Sequence, residues 1–266
     1  FKDFELIVSD CRYEKRPECF NGKPFKREAY PFVIKHIPVK PSYWLEHGMW
    51  LGPGTWNRGI VEADGELLIF IDDCCEFPES NALSLYWEWY QKGYFASALV
   101  LYSQGGKPLY STEQARRVSR EAIAALRGDP DSYDRVFKPG DRVRDSRWRF
   151  VDGSQNGIYY FPGQMYYAYT SASMEAMLRV NGWDQNFDGD KTLADVDLGL
   201  RLEQIGCRFV LDKRLTVIEN CHKMIPKDTL WYDGGAFRSN YELMRMNRRV
   251  GRWRANSYRL TEAEVE

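Results

Sequence analysis

The chain has 266 residues, 44% hydrophobic and 28% charged, a balance typical of folded globular proteins and sufficient for one large α/β domain. Its 37 basic and 38 acidic side chains give a formal charge of −1, which argues against a broad basic face for the phosphate backbone of nucleic acids. The sequence contains no apolar run of about 18 residues, so it predicts no membrane-spanning helix.

Six cysteines are present, and none stands in a C-x-x-C pair. This pattern predicts reduced, mostly buried thiols rather than a disulfide scaffold, and it favours a cytoplasmic setting, with peripheral attachment to a membrane left open. The chain begins on "FKDFELIVSD", which has the character of a strand already under way. We therefore expect the given sequence to be a trimmed or partial version of a longer chain.

Strand and helix patterns alternate through the first 104 residues. Short apolar strands are predicted at Phe4–Asp10 and Pro31–Val39, followed by a short helix that ends before Gly65 as its carboxy-terminal cap. The strongest strand pattern is Glu66–Asp73, where the unbroken apolar run is typical of a strand covered on both faces.

A helix and another strand follow. The helix is predicted over Glu79–Lys92, and its apolar face is expected to consist of Leu83, Tyr86, Trp87 and Tyr90. The next strand is Tyr94–Ser103. This alternation of strands and helices predicts a layered α/β sheet.

Residues 105–156 interrupt the alternation and are interpreted as an insertion or lid. They contain a helix pattern over Thr112–Arg127 and then a stretch rich in Arg, Asp, Pro and Gly. The arginines between Arg142 and Arg149 either form a solvated surface or contact a phosphate or another anion.

The second half continues with a strand and a helix over Tyr159–Trp183, and then a helix over Thr192–Gly206. Thr192 and Gly206 are expected to cap the two ends of that second helix. Cys207–His222 predicts a pair of strands, and the remaining residues are polar, basic and aromatic, with "WYDGGAF" as a loop.

Adjacent carboxylates end the strongest predicted strand. In an open α/β sheet, ligands bind outside the carboxyl ends of the strands, and neighbouring strand residues point to opposite faces. Asp72 and Asp73 are therefore expected to have separate tasks, one binding a divalent cation with a diphosphate and the other accepting from a sugar or ribose hydroxyl. The alternative is a turn with solvated acids. Vicinal Cys74 and Cys75 cannot readily point at one ion, so packing is favoured for them.

Two blocks of the sequence contain acids, glycines and an arginine at characteristic spacings. The first block runs from Asn57-Arg58-Gly59 through Ala63-Asp64-Gly65-Glu66 to Asp72-Asp73. The second contains Gly182-Trp183-Asp184, then Asp195, Asp197, Leu198, Arg201 and Gly206. Together these blocks resemble the motifs of family 2 glycosyltransferases of the GT-A fold. "FELIVSD" is a third, weaker match to the second strand of the family. The resemblance implies a Rossmann-like mixed, mostly parallel sheet flanked by helices, with the amino-terminal βα unit of the family missing from the given chain.

The resemblance also implies a metal-dependent, inverting glycosyltransferase of the hexosyltransferase type, with a nucleotide sugar, a UDP-sugar, as donor. Asp10 would contact the nucleobase, and Asp72 would contact the ribose or bridge to the metal. Asp73 would bind Mn²⁺ or Mg²⁺ on the donor diphosphate, with His222 as a further metal ligand. Asp195 would be the general base that takes the proton of the acceptor hydroxyl.

Several other residues receive roles in the same way. Asn57 and Arg58 would lie near the nucleotide or support its pocket, and the acceptor would meet Trp183, Asp184 and Tyr167. The helix dipole is expected to favour the charged form of Asp195 and lower its basicity. The charge balance favours a glycan, lipid-linked or small acceptor over nucleic acid.

The sequence also departs from the family pattern. Cys74 stands where the family has a third acid, and Ala194 stands where it often has Glu, so Asp188 and Asp190 are candidates for the missing carboxylate. For the second block, ordinary first-turn acids that stabilise a helix are the alternative interpretation of Asp195 and Asp197.

We expect a single domain in four parts. These are a nucleotide-sugar half (1–104), the insertion (105–156), an acceptor and catalytic half (157–225) and a carboxy-terminal extension (226–266). Two rival functions stay open from the residues: a sugar-phosphate nucleotidyltransferase, which would need a Gly-rich basic loop, and a non-catalytic carbohydrate-binding module.

Overall fold

The computed structural model describes residues 3–11, 13, 19–20, 23–24, 30–47, 51–72, 75–103, 142–145, 147–189, 193–220, 234–257 and 259–260. Several predictions fall outside this set: Asp73, Cys74, Asp190, Thr192, His222 and the helix at Thr112–Arg127.

The described residues form eleven strands and seven α-helices. The strands are β1 (Glu5–Asp10), β2 (Cys19–Phe20), β3 (Lys23–Pro24), β4 (Val33–Pro38), β5 (Leu67–Ile69), β6 (Cys75–Glu76), β7 (Phe95–Ser103), β8 (Arg142–Arg144), β9 (Ile158–Phe161), β10 (Ser171–Ser173) and β11 (Phe209–Asn220). The helices are α1 (Tyr43–Glu46), α2 (Pro53–Val61), α3 (Ala82–Gln91), α4 (Trp148–Asp152), α5 (Met174–Val180), α6 (Ala194–Gln204) and α7 (Gly234–Arg249). No helix among the described residues is both long enough and apolar enough to cross a membrane.

The main sheet has the order β6-β11-β7-β8, with β9 also paired to β11. An antiparallel bridge between Ser97 and Thr170 joins β7 to the chain just before β10, and β10 pairs with β5. Because β10 is antiparallel to both neighbours and β7 is parallel to β11, the strands β5, β7 and β11 run in one direction. Their carboxyl ends therefore point to the same edge.

The mixed α/β class is confirmed, but the expected predominance of parallel pairs is wrong. Five of the seven described strand pairings are antiparallel, and only β1–β4 and β7–β11 are parallel. The physical reason is that the sheet is completed by the short return strands β6, β8, β9 and β10. An antiparallel neighbour needs only a short return, whereas a parallel neighbour requires a long crossover.

Local predictions differ from the structure in three places. The strand predicted over Glu66–Asp73 is ordered as β5 for only three residues, Leu67–Ile69. The predicted strand pair Cys207–His222 is one long strand, β11, whose register against β7 shifts between Leu211 and Thr216. The predicted loop "WYDGGAF" reaches into α7, which begins at Gly234.

Side chains from β7 and β11 alternate between two apolar layers. Leu99, Phe209 and Leu211 enter one layer, while Val100 and Val210 enter the other. This period of two buries the sheet on both faces, as the unbroken apolar strands predict. Helix α3 covers the second layer with Ala82, Leu85, Tyr86 and Trp89. Of the predicted apolar face, Tyr86 is confirmed, whereas Leu83, Trp87 and Tyr90 are not among the buried residues of the helix.

Helix α6 carries the acidic block of the second motif. Gly206 follows it with φ +93°, as its predicted cap, but the residue at the amino-terminal cap is Leu193 with φ 63°. In the middle of the helix, Gly199 packs directly on Gly163, and a β-carbon on either residue would collide with the other's backbone. This close approach holds the middle of α6 against the turn at Gly163–Met165, which follows β9.

Candidate active site

A tyrosine hydroxyl joins two carboxylates at the carboxyl edge of the sheet. The Oη atom of Tyr169 lies 3.2 Å from Oδ2 of Asp72 and 3.0 Å from Oε2 of Glu219. A phenol has a single proton, so Tyr169 can donate to only one carboxylate at a time. Two carboxylates that share one proton form a centre of negative charge, which favours a cation between or beside them.

The backbone around Tyr169 is held tightly. Tyr169 is completely buried with φ +70°, a conformation that bulky residues rarely adopt. Its carbonyl accepts a hydrogen bond of 2.6 Å from the Tyr86 hydroxyl, and its amide donates to the Phe70 carbonyl at 3.0 Å. Residues in such unfavourable conformations are concentrated at functional sites, because the surrounding structure must enforce them.

Asp72 and Glu219 both lie near the carboxyl ends of their strands. Asp72 follows β5, and Glu219 is the penultimate residue of β11. Cys75 lies opposite Glu219 in the β6–β11 pair, and its thiol donates to the Asp72 carbonyl at 2.9 Å. Cys75 therefore secures the backbone of Asp72, in agreement with the packing role predicted for it.

Among the described carboxylates at this edge of the sheet, that of Asp195 has the most strongly shifted pKa. Its pKa is raised from 3.8 to about 6, chiefly by burial and in smaller part by the nearby carboxylate of Asp72, while hydrogen bonds from backbone amides, including that of Val196, and the charge of Arg147 oppose the rise. The prediction that the helix dipole would lower the basicity of Asp195 is therefore wrong. Desolvation outweighs the dipole, which contributes typically below about 1 kcal/mol.

Arg147 is a buried cation beside these acids. Its guanidinium forms an ion pair of 2.8 Å with Asp145, donates to the Ser97 hydroxyl at 2.8 Å and to the Ala98 carbonyl at 3.0 Å, and lies 4.8 Å from the ring centre of Tyr167. These contacts fix the position of the positive charge on the sheet.

The solvated-surface interpretation of the arginines between Arg142 and Arg149 is wrong for two of them. Arg144 and Arg147 are each 7% exposed, and Arg144 is paired with Asp152 at 2.9 Å and lies over the Trp148 ring. Burial with paired carboxylates makes both residues part of the core.

Asp10 belongs to a second group of residues, at the start of α2. Its Oδ2 atom lies 3.0 Å from Nε2 of His36, and both Asp10 and Asp188 contribute to a raised pKa of the Cys11 thiol, whose main cause is burial. Asp188 accepts the Gly54 amide at the first turn of α2. This position argues against Asp188 as a substitute for the acid missing at position 194.

Asn57 connects the first motif to the second. Its side chain donates to the Trp183 carbonyl at 2.9 Å and accepts from the Trp183 amide at 2.8 Å, and it is completely buried. Arg58, the next residue, forms a partly exposed ion pair with Glu62. The first of these two motif residues is thus a structural clamp, consistent with the predicted support of the pocket.

We expect Asn57→Ala to lower the free energy of unfolding by about 1–3 kcal/mol, because it leaves the buried Trp183 amide unsatisfied, whereas the Trp183 carbonyl keeps a hydrogen bond of 3.0 Å from the Asn256 side chain. Arg58→Ala is the matched control and is expected to change it by less than about 1 kcal/mol. Urea unfolding of both variants measures the difference. Equal losses in the two variants would contradict the clamp.

Trp183 and Asp184 do not offer their side chains to a ligand. Trp183 has no exposed surface and packs on Trp56 at 4.1 Å between ring centres, and Asp184 is 1% exposed and paired with Arg252 at 3.2 Å. Both residues support the site from within, so the structure corrects the expectation of direct acceptor contact for them. Tyr167 is only half-buried, and its contact with the acceptor stays a prediction.

Asp72 and Glu219 are too few ligands to form a metal site by themselves. Among the described residues, no three His, Cys, Asp or Glu side chains come together as a metal site. Asp72 and Glu219 are two hard oxygen ligands of the kind that Mn²⁺ and Mg²⁺ prefer. Asp73 and His222, which adjoin these strand ends in sequence, lie outside the described residues.

Sequence reasoning missed three residues of this site: Glu219, Tyr169 and Arg147. An available signal for Glu219 was its place near the end of a predicted strand, the same position that singled out Asp72. The sequence offers no comparable signal for Tyr169, one of 17 tyrosines, or for Arg147, one of several arginines in its stretch.

No protein-family model and no curated protein matches the chain, so membership of family 2 stays a prediction. A solved structure of GalNAc-T7 with UDP, GalNAc and Mn²⁺ overlaps with a TM-score of 0.44 and 11% sequence identity, covering 83% of this chain. The chain spans 38% of the length of that protein. We draw no functional conclusion from a likeness of this degree.

Proposed function

We propose that the chain is a metal-dependent, inverting glycosyltransferase that moves a sugar from a nucleotide sugar, a UDP-sugar, to an acceptor hydroxyl. The observation that carries the proposal is the raised pKa of the Asp195 carboxylate. This pKa is about 6, and the carboxylate interacts electrostatically with Asp72 at the carboxyl edge of the sheet. A carboxylate with a pKa close to neutrality is well suited to general-base catalysis.

The proposed reaction is a single displacement. The acceptor oxygen attacks the anomeric carbon from the face opposite the diphosphate, the bond from that carbon to the phosphate oxygen breaks, and Asp195 takes the hydroxyl proton. Attack from the opposite face inverts the configuration. Because Asp195 is ionised above a pH of about 6, it can accept this proton at neutral pH.

A divalent cation, when bound, would stabilise the negative charge that develops on the departing diphosphate. We propose Asp72 and Glu219 as ligands or neighbours of this cation, together with Asp73 and His222. The Tyr169 hydroxyl lies within hydrogen-bond distance of both Asp72 and Glu219 and donates to one of them at a time.

The remaining residues would position the two substrates. Asp10 would contact the nucleobase, close to the first turn of α2. Asn57 maintains the pocket through Trp183, with Arg58 on the same helix. Tyr167, whose ring faces the Arg147 guanidinium, would form a wall for the acceptor. The acceptor class we propose is a glycan, a lipid-linked sugar or a small molecule.

Calorimetric titration of UDP into the protein tests the donor site. We expect binding that requires Mn²⁺ or Mg²⁺ and that weakens at least about tenfold in Asp72→Asn, because one charged contact to the ribose or the metal is lost. Asp64→Asn is the matched control, since Asp64 is an exposed carboxylate paired with Lys35.

Two outcomes of this titration and one of an activity assay would contradict the proposal. UDP binding without a metal would contradict the proposed metal dependence, and absence of any nucleotide binding would favour a carbohydrate-binding module. Turnover of a nucleoside triphosphate with a sugar phosphate would favour a nucleotidyltransferase. Hydrolysis assays over a panel of nucleotide sugars then identify the donor.

A further inference from the structure

The carboxy-terminal end of α7 and the turn after it form a surface that the proposed reaction does not use. We define the α7 surface by four apolar residues and four arginines: Tyr241, Met246, Val250, Trp253, Arg245, Arg248, Arg249 and Arg254. All eight side chains are exposed. They lie within a segment of fourteen residues at the end of the described chain.

Large apolar side chains are concentrated on the α7 surface. Met246 is 54% exposed, Val250 69% and Trp253 45%, and Tyr241 is also exposed. These four are among only ten large hydrophobic residues that are exposed in the described part of the chain. Scattered exposed apolar residues are ordinary, whereas a concentration of them beside charges indicates an interaction site.

The α7 surface is also strongly basic. Between residues 241 and 254 the sequence has five arginines and a single acidic residue, Glu242, although the whole chain has a formal charge of −1. Arg245 is paired with Glu242 at 3.5 Å, and Arg252 with Asp184 at 3.2 Å. Arg248, Arg249 and Arg254 project into solvent. A partner of opposite charge is therefore favoured.

The exposure of Trp253 does not come from a loose end of the chain. On one side, Arg252 forms its ion pair with the buried Asp184. On the other, the Ala255 amide donates to the Val180 carbonyl at 2.8 Å, and the Asn181 side chain donates to the Ala255 carbonyl at 2.8 Å. The turn is thus fastened at both sides, and it presents the indole to solvent.

We propose that the α7 surface docks on an anionic lipid bilayer, with Met246, Val250 and Trp253 in the interfacial region and the arginines on the lipid headgroups. Helices that lie on membranes combine basic residues with apolar side chains that enter the boundary between headgroups and acyl chains. Trp is enriched at this depth, because its ring is apolar and its N–H is polar.

Charge and apolar character together favour lipid over nucleic acid. Nucleic acids offer phosphates and base rings, which reward arginines and aromatic side chains. Aliphatic side chains such as Val250 and Met246 gain little from phosphate contacts, but they gain from removal from water in a bilayer. The inference is independent of the proposed transfer reaction.

Co-sedimentation of the whole protein with vesicles tests this inference. We expect binding to vesicles that contain phosphatidylserine, weak binding to pure phosphatidylcholine, and a decrease with added salt. Arg248→Gln/Arg249→Gln is expected to weaken binding roughly 25-fold, at about fivefold for each arginine near the surface. Val250→Asp/Trp253→Ser is expected to abolish it.

Two control variants match these changes elsewhere on the surface. Lys92→Gln/Arg208→Gln removes the same charge from the residue that follows α3 and the residue that precedes β11, and Val33→Ser removes an apolar side chain that is 59% exposed. Both are expected to bind vesicles like the wild type. The replaced side chains on the α7 surface are exposed, so melting temperatures and UDP binding are expected to stay unchanged.

Several results would overturn the inference. Equal binding to both kinds of vesicle, equal losses in the control variants, or no binding to phosphatidylserine vesicles would each contradict it. Fluorescence anisotropy with a labelled oligonucleotide tests whether the α7 surface binds nucleic acid instead of lipid. Tight oligonucleotide binding that Val250→Asp leaves unaffected, without vesicle binding, would identify a nucleic-acid surface instead.

Discussion

Asp195→Asn is expected to lower the rate of sugar transfer by about 10²–10⁴-fold, the usual contribution of a general base, and to leave UDP binding intact. In the wild type, the rate is expected to fall as the pH drops through about 6, because protonation of Asp195 removes the base. Initial rates over a pH series, with the donor and acceptor identified by screening, measure both effects. A wild-type rate in the Asn variant would contradict the assignment.

The same substitution is expected to stabilise the fold at neutral pH. The Asp195 pKa is raised in the folded protein, so its contribution to stability is present below pH 3.8 and is lost as the pH rises through about 6. The rise from 3.8 to about 6 corresponds to about 3 kcal/mol above pH 7. Asn cannot ionise, and its side-chain oxygen can still accept the Val196 amide.

We therefore expect urea unfolding to show Asp195→Asn more stable than the wild type at pH 8, by up to about 3 kcal/mol, and nearly equal to it at pH 4. A gain in stability together with a loss of activity distinguishes a carboxylate that acts as general base from a carboxylate that merely stabilises the first turn of α6. Lower stability of the variant at pH 8 would favour the structural role.

Asp197→Asn, two residues further along α6, is expected to lower the free energy of unfolding by about 3–5 kcal/mol. Asp197 and Arg201 form an ion pair of 2.7 Å with side chains that are 3% and 1% exposed. Without the carboxylate, the Arg201 guanidinium stays buried without its countercharge. Asp197 also accepts from Asn247 at 3.1 Å, which fastens α7 to α6.

Thermal and urea unfolding at pH 7 measure this second prediction. The free energy of unfolding is expected to rise in Asp195→Asn and to fall in Asp197→Asn, so the two variants are an internal comparison on one helix. The double variant Asp197→Leu/Arg201→Met is expected to recover part of the loss, because no charge stays buried. Recovery is incomplete because Arg201 also donates to the Val180 and Gly182 carbonyls. A loss below about 1 kcal/mol in Asp197→Asn would contradict the buried ion pair.

Local patterns were sufficient for the elements whose side chains follow a simple period. The apolar runs predicted β1, β4 and β7 to within two residues at each end, and Gly206 was identified as the cap of α6. Period-two burial also predicted a sheet covered on both faces. The patterns failed where contacts between distant residues determine where an element ends. In β5, for example, the Phe70 carbonyl accepts a hydrogen bond from the Tyr169 amide, and the strand ends earlier than predicted.

The sequence by itself determined the α/β class, the acids at the strand ends and the acidic first turn of α6, because these depend on residues close together in the chain. Only the tertiary structure decided that Tyr169 joins Asp72 to Glu219, that Arg147 is buried, and that Asp195 has a raised pKa. Burial and electrostatic neighbours come from residues more than forty positions apart, and a pKa follows from them rather than from local spacing.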